Sequence, residues 1–461
     1  MAKKRKSVFV CQECGYESPQ WMGQCICGAW NSFIEERITD DLSEDSRRRT
    51  SERNKKHVKA QPLKSVGTLE YRRMDTGIGE LNRVLGGGLV PGSLILISGE
   101  PGIGKSTLII QAAAEIAAGG KTVLYASGEE SEEQIRIRAD RVCRNLPESL
   151  LILSETNMEN IVDVAEQEKV DFLIIDSIQT MYTDELTQAP GSISQVRACG
   201  NMLMKLGKTK DIPIFIVAHV TKAGELAGPK IVEHLVDCVL HFGGERNREL
   251  RMLRAFKNRF GTTSEVGAFK MEEEGLVEIT DLSGNLLEET DHRGDGAVIT
   301  AVYEGTRPVL FEIQGLAVTA AAGFPRRTAV GVDSKRLNMI LAVIEKRLGI
   351  GMVTKDVYVN AVGGMRTDST SVDLATALAI YSSIKEVRAS GSILVIGEIG
   401  LTGEVRSVPY AEKIFSEAER MGFDRIMMPQ KNAEKIKAKN PDCNIVGVKS
   451  LRDAVQIFSS K

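Results

Sequence analysis

The chain has 461 residues, of which 42% are hydrophobic and 26% charged, and its formal net charge is −3. This length exceeds what one hydrophobic core accommodates and predicts roughly two or three domains. No apolar run approaches the ~20 residues that span a bilayer, and the N-terminal MAKKRKSVFVC has charge without a long apolar region behind it. We therefore expect a cytoplasmic protein with no membrane contact. The charge balance gives no global indication of nucleic-acid binding, so any such contact requires local basic patches.

The N-terminal stretch FVCQECGYESPQWMGQCICGAW contains four of the eight cysteines. Cys11 and Cys14 form a CxxC pair, and Cys25 and Cys27 form a CxC pair. Four thiolates bind zinc tetrahedrally, and a segment this short has no other obvious source of stability. Disulfides are the alternative, which a reducing cytoplasm disfavours. The sequence predicts a zinc finger over residues 1–34, followed by a charged, flexible linker over residues 35–64.

The other cysteines stand singly in apolar contexts and are expected to be buried small hydrophobic residues: Cys143, Cys199, Cys238 and Cys443. The linker also carries basic residues that could contact nucleic acid, although a solvated, flexible tether explains them better: Arg47, Arg48, Arg49, Lys55 and Lys56.

The centre of the chain contains SLILISGEPGIGKSTLIIQAAAEIA, an apolar strand, a glycine loop that matches GxxxxGK[ST], and a helical pattern. That order of elements distinguishes a phosphate-binding loop from a chance match. Lys105 is predicted to contact the β- and γ-phosphates of ATP, and the Ser106 hydroxyl to bind Mg²⁺. The predicted nucleotide-binding residues are Gly99, Glu100, Pro101, Gly102, Ile103, Gly104, Lys105, Ser106 and Thr107.

Downstream, strands and helices alternate as a parallel α/β sheet requires. Three of these strands end in polar residues, and the carboxyl ends of parallel strands form the edge where ligands bind. Asp176 is the natural second magnesium ligand, and either Glu129 or Glu130 is the base that orients the attacking water. His219 could sense the γ-phosphate or simply cap its strand.

The segment AFKNRFGTTSEVGAF places Lys257 and Arg259 two residues apart in a strand-like pattern, so both should project from one face of a sheet. Such a pair is either a solvated edge or two charges directed at phosphates. Phe256 and Phe260 are expected to lie in the core.

The four-cysteine finger, GEPGIGKST, YASGEES, LIIDSIQT, VAHVTKAGELAGPKIVEHLVD and KNRFG occur in this order. Over nearly the whole chain this set resembles the RadA (Sms) family of bacterial DNA repair proteins, and KNRFG is its most specific motif. The family's fingers usually close with CxxC, whereas this chain has Cys25, Ile26 and Cys27.

The resemblance implies a RecA-like ATPase that assembles into a hexameric ring and drives branch migration of recombination intermediates during repair of damaged DNA. It also implies binding of single-stranded and branched DNA and cooperation with the RecA recombinase. Lys257 and Arg259 would couple ATP hydrolysis to DNA movement by reaching the phosphates bound by a neighbouring subunit.

The C-terminal part, residues 285–461, returns to α/β patterns and resembles the proteolytic domain of Lon proteases. Ser371 and Lys413 fall near the two positions of the Lon Ser-Lys dyad. Asp373 stands where a glycine is expected, and a carboxylate near the dyad favours the protonated lysine, which is the wrong state for a base. The sequence therefore favours an oligomerisation or DNA-binding scaffold over a peptidase. One helical stretch could track DNA, or equally form a solvated face, through Lys335, Arg336, Lys346 and Arg347.

The predicted fold class is α/β, with a RecA-like P-loop ATPase core over residues 65–284, the N-terminal zinc finger and the C-terminal Lon-protease-like domain. The leading function is a DNA-stimulated ATP motor with ATP, Mg²⁺ and Zn²⁺ as cofactors. Two alternatives stay open: an ATP-dependent Lon-like protease or unfoldase, and a nucleotide-gated binding switch with negligible motor activity.

Overall fold

The computed structural model describes residues 7–11, 16–26, 28, 30, 32–37, 73–219, 231–244, 250–287, 294–320, 325–388, 393–441 and 443–459. Cys14 and Cys27, and nearly all of the predicted linker, lie outside these residues. By its internal contacts the chain divides into two compact units. The first comprises Met1–Gly243, Leu253–Thr263 and Glu272–Leu276, and the second Gly244–Met252, Ser264–Met271 and Val277–Lys461.

A small antiparallel sheet forms the N-terminal segment: β1 (Ser7–Cys11), β2 (Glu17–Ser18) and β3 (Phe33–Arg37), with β1 between the other two. Cys11 and Cys25 are buried and pack together with Phe33 in one cluster. Partly buried Phe9 and Met22 pack against this cluster, which gives the described part of the segment a small core.

The rest of the first unit alternates strands and helices. Its helices are α1 (Gly79–Leu85), α2 (Lys105–Ala118), α3 (Glu132–Val142), α4 (Met158–Gln167), α5 (Ile193–Lys210) and α6 (Ile231–Leu235). Its strands are β4 (Leu94–Gly99), β5 (Val123–Ser127), β6 (Leu150–Ser154), β7 (Phe172–Asp176), β8 (Ile214–His219) and β9 (Cys238–Gly243). β10 (Leu250–Asn258), β11 (Val266–Glu272) and β12 (Gly275–Glu278) follow in the chain.

Within the first unit six parallel strands lie in the order β9-β4-β8-β7-β5-β6. β4, β5 and β7 are buried at every position, which explains their continuous apolar sequences, because helices cover both faces of such a sheet. All six carboxyl ends therefore meet at one edge, as the sequence predicts. Of the singly placed cysteines, Cys199 and Cys238 are fully buried, whereas Cys143 and Cys443 are only partly buried.

The second unit contains β13 (Ala297–Glu304), β14 (Arg307–Thr319), β15 (Arg327–Val330), β16 (Lys355–Ala361), β17 (Ile393–Val395), β18 (Glu398–Ile399), β19 (Val405–Arg406), β20 (Arg425–Pro429) and β21 (Ile445–Val448). Its helices are α7 (Leu282–Leu287), α8 (Ser334–Leu348), α9 (Asp373–Lys385), α10 (Ala411–Arg420), α11 (Gln430–Lys437) and α12 (Leu451–Ser459). The main sheet has the order β15-β16-β14-β13-β17-β20-β21, in which β14 pairs antiparallel with β16 and β13 and the other neighbouring strands pair in parallel. Within the described part of the chain, no helix is long and apolar enough to cross a membrane.

Candidate phosphate-binding and catalytic site

The glycine loop connects the end of β4 to the first turn of α2, as the motif predicts. Gly99 has φ 154°, and a Cβ atom there would lie 2.4 Å from the Phe242 carbonyl oxygen, so the loop starts where only glycine fits. Gly104 caps the helix with φ 114°. Because the first N–H groups of a helix have no partner within it, the loop and the start of α2 present donors to an anion.

Lys105 is 4% exposed, and its ammonium group donates to the carbonyl oxygens of Gly99 and Glu100 at 2.8 and 3.1 Å. Burial lowers the pKa of Lys105 to about 8, and the nearby carboxylates of Asp176 and Glu129 oppose that shift. The glycine loop thus holds one cation whose nearest ionic neighbours are two predicted site carboxylates.

Asp176 is the last residue of β7 and is 6% exposed. The hydroxyl of Tyr125, a fully buried residue of β5, donates a hydrogen bond to its carboxylate. Burial, followed by the charge of Asp176, raises the pKa of Tyr125 well above its ordinary value, so the phenol stays a donor. Tyr125 therefore fixes the orientation of the predicted magnesium ligand.

Glu129 and Glu130 follow β5 and occupy different surroundings. The Glu129 carboxylate accepts a hydrogen bond from the Ser177 hydroxyl, next to Asp176. The Glu130 carboxylate instead forms an ion pair with Arg138 of α3, with N···O distances of 2.5 and 2.9 Å. Of the two glutamates, Glu129 therefore lies on the side of Lys105 and Asp176, and Glu130 is bound to α3.

The two cations of KNRFG contact the segment before β9. Lys257, still within β10, donates to the Glu233 carbonyl oxygen at 2.7 Å, and burial and then Arg259 lower its pKa. Arg259 lies beyond the end of β10, and its guanidinium approaches the Asp237 carboxylate at 3.4 Å. The strand ends at Asn258, so only Lys257 is a strand residue, but both side chains contact the same Glu233–Asp237 segment. The Arg259 side chain remains 59% exposed.

Phe256 does not lie in the core, contrary to the sequence prediction. Its side chain is 67% exposed and stacks on the ring of His241 in β9, with ring centroids 5.4 Å apart and planes at 26°. Ala255, its neighbour in β10, is the buried residue. Phe260 is only partly buried. His219 is the last residue of β8, where the sequence places it.

In the second unit the two residues at the predicted dyad positions have separate partners. Ser371 is 4% exposed, and its hydroxyl contacts the Ala301 carbonyl oxygen at 3.2 Å and the Ser369 hydroxyl at 2.9 Å. Lys413 contacts the hydroxyl of Tyr303 at 2.6 Å, and that contact raises the pKa of Lys413. Within the described residues no hydrogen bond joins Ser371 to Lys413.

Asp373 pairs with Arg336 rather than with Lys413. The expectation that this carboxylate favours the protonated form of the dyad lysine is therefore wrong. Arg336 donates to both carboxylate oxygens and to the Ile399 carbonyl oxygen. Burial raises the pKa of Asp373, and Arg336 opposes the rise. Arg336 thus belongs to an internal ion pair, and the residues of the basic helical stretch that remain exposed are Lys335, Lys346 and Arg347.

Of the four predicted zinc ligands, Cys11 at the end of β1 and Cys25 between β2 and β3 pack in one cluster, and Cys14 and Cys27 lie outside the described residues. Among the described residues no group of three metal-ligating side chains occurs. Two buried thiols in one cluster fit half of a tetrahedral thiolate site.

Sequence reasoning missed the side chains that hold the candidate catalytic carboxylates, Tyr125, Arg138 and Ser177, and it also missed His241, on which Phe256 stacks. Tyr125 had a weak signal, because a tyrosine in a fully buried parallel strand needs a partner for its hydroxyl. The others act across distances along the chain that a local motif does not reveal.

Three family models match parts of this chain. The AAA domain model matches residues 59–225, the model of subunit ChlI of Mg-chelatase matches residues 312–432, and the rubredoxin metal-binding domain model matches residues 9–35. Together with the parallel sheet they confirm the predicted α/β fold class, with a RecA-like core, an N-terminal zinc ribbon and a C-terminal Lon-protease-like domain.

Curated relatives match over nearly their full length. The chain is 48% identical to the DNA repair protein RadA of Bacillus subtilis (strain 168), covering 98% of both chains. It is 47% identical to that of Halalkalibacterium halodurans, covering 99% of both, and 46% identical to that of Streptococcus pyogenes serotype M3, covering 100% of both. Among solved structures, the crystal structure of the RadB recombinase matches with a TM-score of 0.36 and 20% identity, covering 45% of this chain and 99% of that one.

Proposed function

This chain belongs to the RadA family of DNA repair proteins, and from that premise we propose that it is a DNA-dependent ATPase that drives branch migration of recombination intermediates. The proposal includes a hexameric ring, binding of single-stranded and branched DNA, and cooperation with RecA in the cytoplasm. The observation that carries it is the buried Lys105 inside a glycine loop, with the carboxylates of Asp176 and Glu129 beside it. Loop, cation and carboxylates are the parts that phosphoryl transfer from ATP requires.

In this proposal the backbone N–H groups of residues 99–107 bind the phosphates, and Lys105 contacts the β- and γ-phosphates. The Ser106 hydroxyl and the Asp176 carboxylate hold Mg²⁺, and Tyr125 keeps Asp176 correctly oriented. The chemistry that Mg²⁺ supplies when bound is neutralisation of charge on the phosphate oxygens. The donor set fits, because hydroxyl and carboxylate oxygens are the ligands this ion prefers.

We assign the general base to Glu129. Its carboxylate lies close enough to Lys105 to affect the protonation of the amine, and Ser177 holds it in place. A base must lie beside the phosphate-binding groups, whereas the Glu130 carboxylate is paired with Arg138 of α3. Glu130 is therefore assigned a structural role.

Lys257 and Arg259 are proposed to act on ATP bound by the neighbouring subunit. Within the described residues both contact only their own Glu233–Asp237 region and none of residues 99–107. The 59% exposure of the Arg259 side chain leaves its guanidinium able to reach across an interface. A cation supplied by a neighbour stabilises the charge that develops during phosphoryl transfer and links hydrolysis to the arrangement of subunits.

The N-terminal ribbon is proposed to bind Zn²⁺ through Cys11, Cys14, Cys25 and Cys27. The burial of Cys11 and Cys25 in one small cluster supports this, since a metal bound there would supply folding free energy. We retain residues 1–34, 35–64, 65–284 and 285–461 as the proposed functional division of the chain.

The Lon-protease-like domain is proposed to be a scaffold without peptidase activity. A Ser-Lys dyad needs a neutral amine within hydrogen-bond reach of the hydroxyl. Lys413 instead contacts Tyr303, which raises its pKa, and the Ser371 hydroxyl contacts Ala301 and Ser369. Each group therefore has another hydrogen-bond partner, and the raised pKa of Lys413 keeps its amine charged.

The test is the rate of ATP hydrolysis by the purified full-length protein as single-stranded DNA is titrated at two stated salt concentrations. We expect marked stimulation that weakens at higher salt, because phosphate contacts are screened. Lys105→Ala should abolish turnover while the protein remains folded. A rate that ignores DNA but rises with an unfolded polypeptide would replace this proposal with the protease or unfoldase, and slow turnover insensitive to both would favour a nucleotide-gated switch.

A further inference from the structure

A stacked pair of rings lies beside the phosphate loop. His241 of β9 and Phe256 of β10 stack with 5.4 Å between ring centroids and 26° between planes. Phe256 is 67% exposed, while His241 is half-buried beneath it. A single exposed aromatic residue is common on protein surfaces, so its location decides whether this one has a function.

The location is fixed by β4, the strand that leads into the loop. Ser98 of β4 is aligned with His241 of β9, and its hydroxyl lies 3.4 Å from the His241 Nδ1 atom. The following residues, Gly99 and Phe242, are also in close contact, since a Cβ atom on Gly99 would meet the Phe242 carbonyl oxygen. The pair of rings therefore adjoins the first residue of the phosphate-binding loop.

The order of strands gives a bound nucleotide a direction. Glu129 and Asp176 follow or end β5 and β7, on one side of β4, whereas β9 lies on the other side. The terminal phosphate must face the hydrolytic carboxylates, so the rest of the nucleotide extends away from them. That direction leads from the loop toward β9 and β10.

The electrostatic surroundings suit a stacked base. Burial lowers the pKa of His241, followed by the charges of Lys105 and Arg254, so the imidazole is neutral at neutral pH. Arg254 lies two residues before Phe256 in β10 and hence on the same face of the strand. An exposed aromatic face binds the π-face of any nucleobase, and a nearby positive charge favours the phosphates attached to it.

We propose that His241 and Phe256 form the nucleobase subsite of the ATP site, in which the adenine ring stacks on this aromatic pair. The inference rests on the proposed ATPase function and adds a subsite to it. Stacking has little base selectivity, so the subsite accepts purines better than pyrimidines through ring area alone.

The test compares Mg²⁺-dependent binding of ADP and of pyrophosphate by calorimetry, using the full-length protein. Pyrophosphate occupies the loop without a base, so it reports only on the phosphate contacts. Phe256→Ala should weaken ADP binding about tenfold and leave pyrophosphate binding unchanged. Phe256→Trp should restore ADP binding, and Tyr410→Ala, which removes an aromatic ring exposed by 58% in the second unit, should change neither.

Equal loss of ADP and pyrophosphate binding in Phe256→Ala would overturn the proposal, because it would show a damaged loop. Unchanged ADP binding would also overturn it, including the case in which single-stranded DNA binding weakens instead. Lys105→Ala distinguishes failure of the proposed ATP site from failure of the base subsite. If Lys105→Ala abolishes binding of both ADP and pyrophosphate while Phe256→Ala binds both normally, the ATP site is supported and the base subsite is refuted.

Discussion

Replacing Glu129 by glutamine tests the assignment of the general base most directly. The substitution keeps the shape of the side chain and its contact with Ser177 but removes the basic oxygen. A positioned base contributes about 10²–10⁴-fold to rate, so we expect single-turnover hydrolysis of ATP to fall by that factor. Affinity for ATP should change little, because Lys105 and the loop supply the phosphate contacts.

Glu130→Gln is the matched control at the adjacent position. Its ion pair with Arg138 is partly exposed, with 38% of the Glu130 side chain accessible, and such pairs contribute at most about 1 kcal/mol. If that whole amount appeared in the barrier, the rate would fall about fivefold, and the glutamine oxygen still accepts from Arg138. A larger loss in Glu130→Gln than in Glu129→Gln would refute the assignment.

Three further outcomes are expected. For the free enzyme, kcat/KM for ATP should fall as pH rises through about 8, where Lys105 loses its proton, whereas kcat stays flat because bound phosphates keep the amine charged; parallel profiles would contradict this. Ser371→Ala should leave the ATPase rate within about twofold, and a fluorophosphonate probe should not label the parent protein at Ser371. Lys257→Ala should impair branch migration more than basal hydrolysis, and equal loss would make Lys257 a plain catalytic residue.

The sequence predicts the phosphate loop and the ends of the strands because their signals are local. Gly99, Lys105 and Ser106 lie within eight residues, and the glycine positions follow from backbone geometry alone. Asp176 ends an apolar run whose burial at every position requires a central parallel strand.

The choice between Glu129 and Glu130 was not available from the sequence. The two residues are adjacent and chemically identical, and their partners lie 48 and 8 positions away. Only folding brings Ser177 to one carboxylate and Arg138 to the other. The role of each glutamate is therefore a property of tertiary structure.

Phe256 could have been placed correctly. In β10, Leu253 and Ala255 are buried, and the two-residue period of a strand then directs Arg254 and Phe256 to the opposite face. The prediction of a core position followed the average behaviour of aromatic residues instead of the alternation within this strand. The contacts of Ser371 with Ala301 and of Lys413 with Tyr303 depend on β13, some seventy or more residues earlier, so a local pattern does not reveal them.

The KNRFG segment also bonds to the beginning of the first unit. Arg73 donates to the Phe260 carbonyl oxygen at 2.6 Å across 187 positions, and Asn258 donates to the carbonyl oxygens of Val84 and Leu85 at the end of α1. A ribosome adds about 5–20 residues per second, so roughly 10–40 s pass between synthesis of the two partners. The carbonyl oxygens at the end of α1 gain the Asn258 hydrogen bonds only after KNRFG has left the ribosome. The ATPase core therefore completes its hydrogen bonding only at that stage. During synthesis these hydrogen bonds therefore form last. The segment that completes them is the same segment that is proposed to reach the neighbouring subunit.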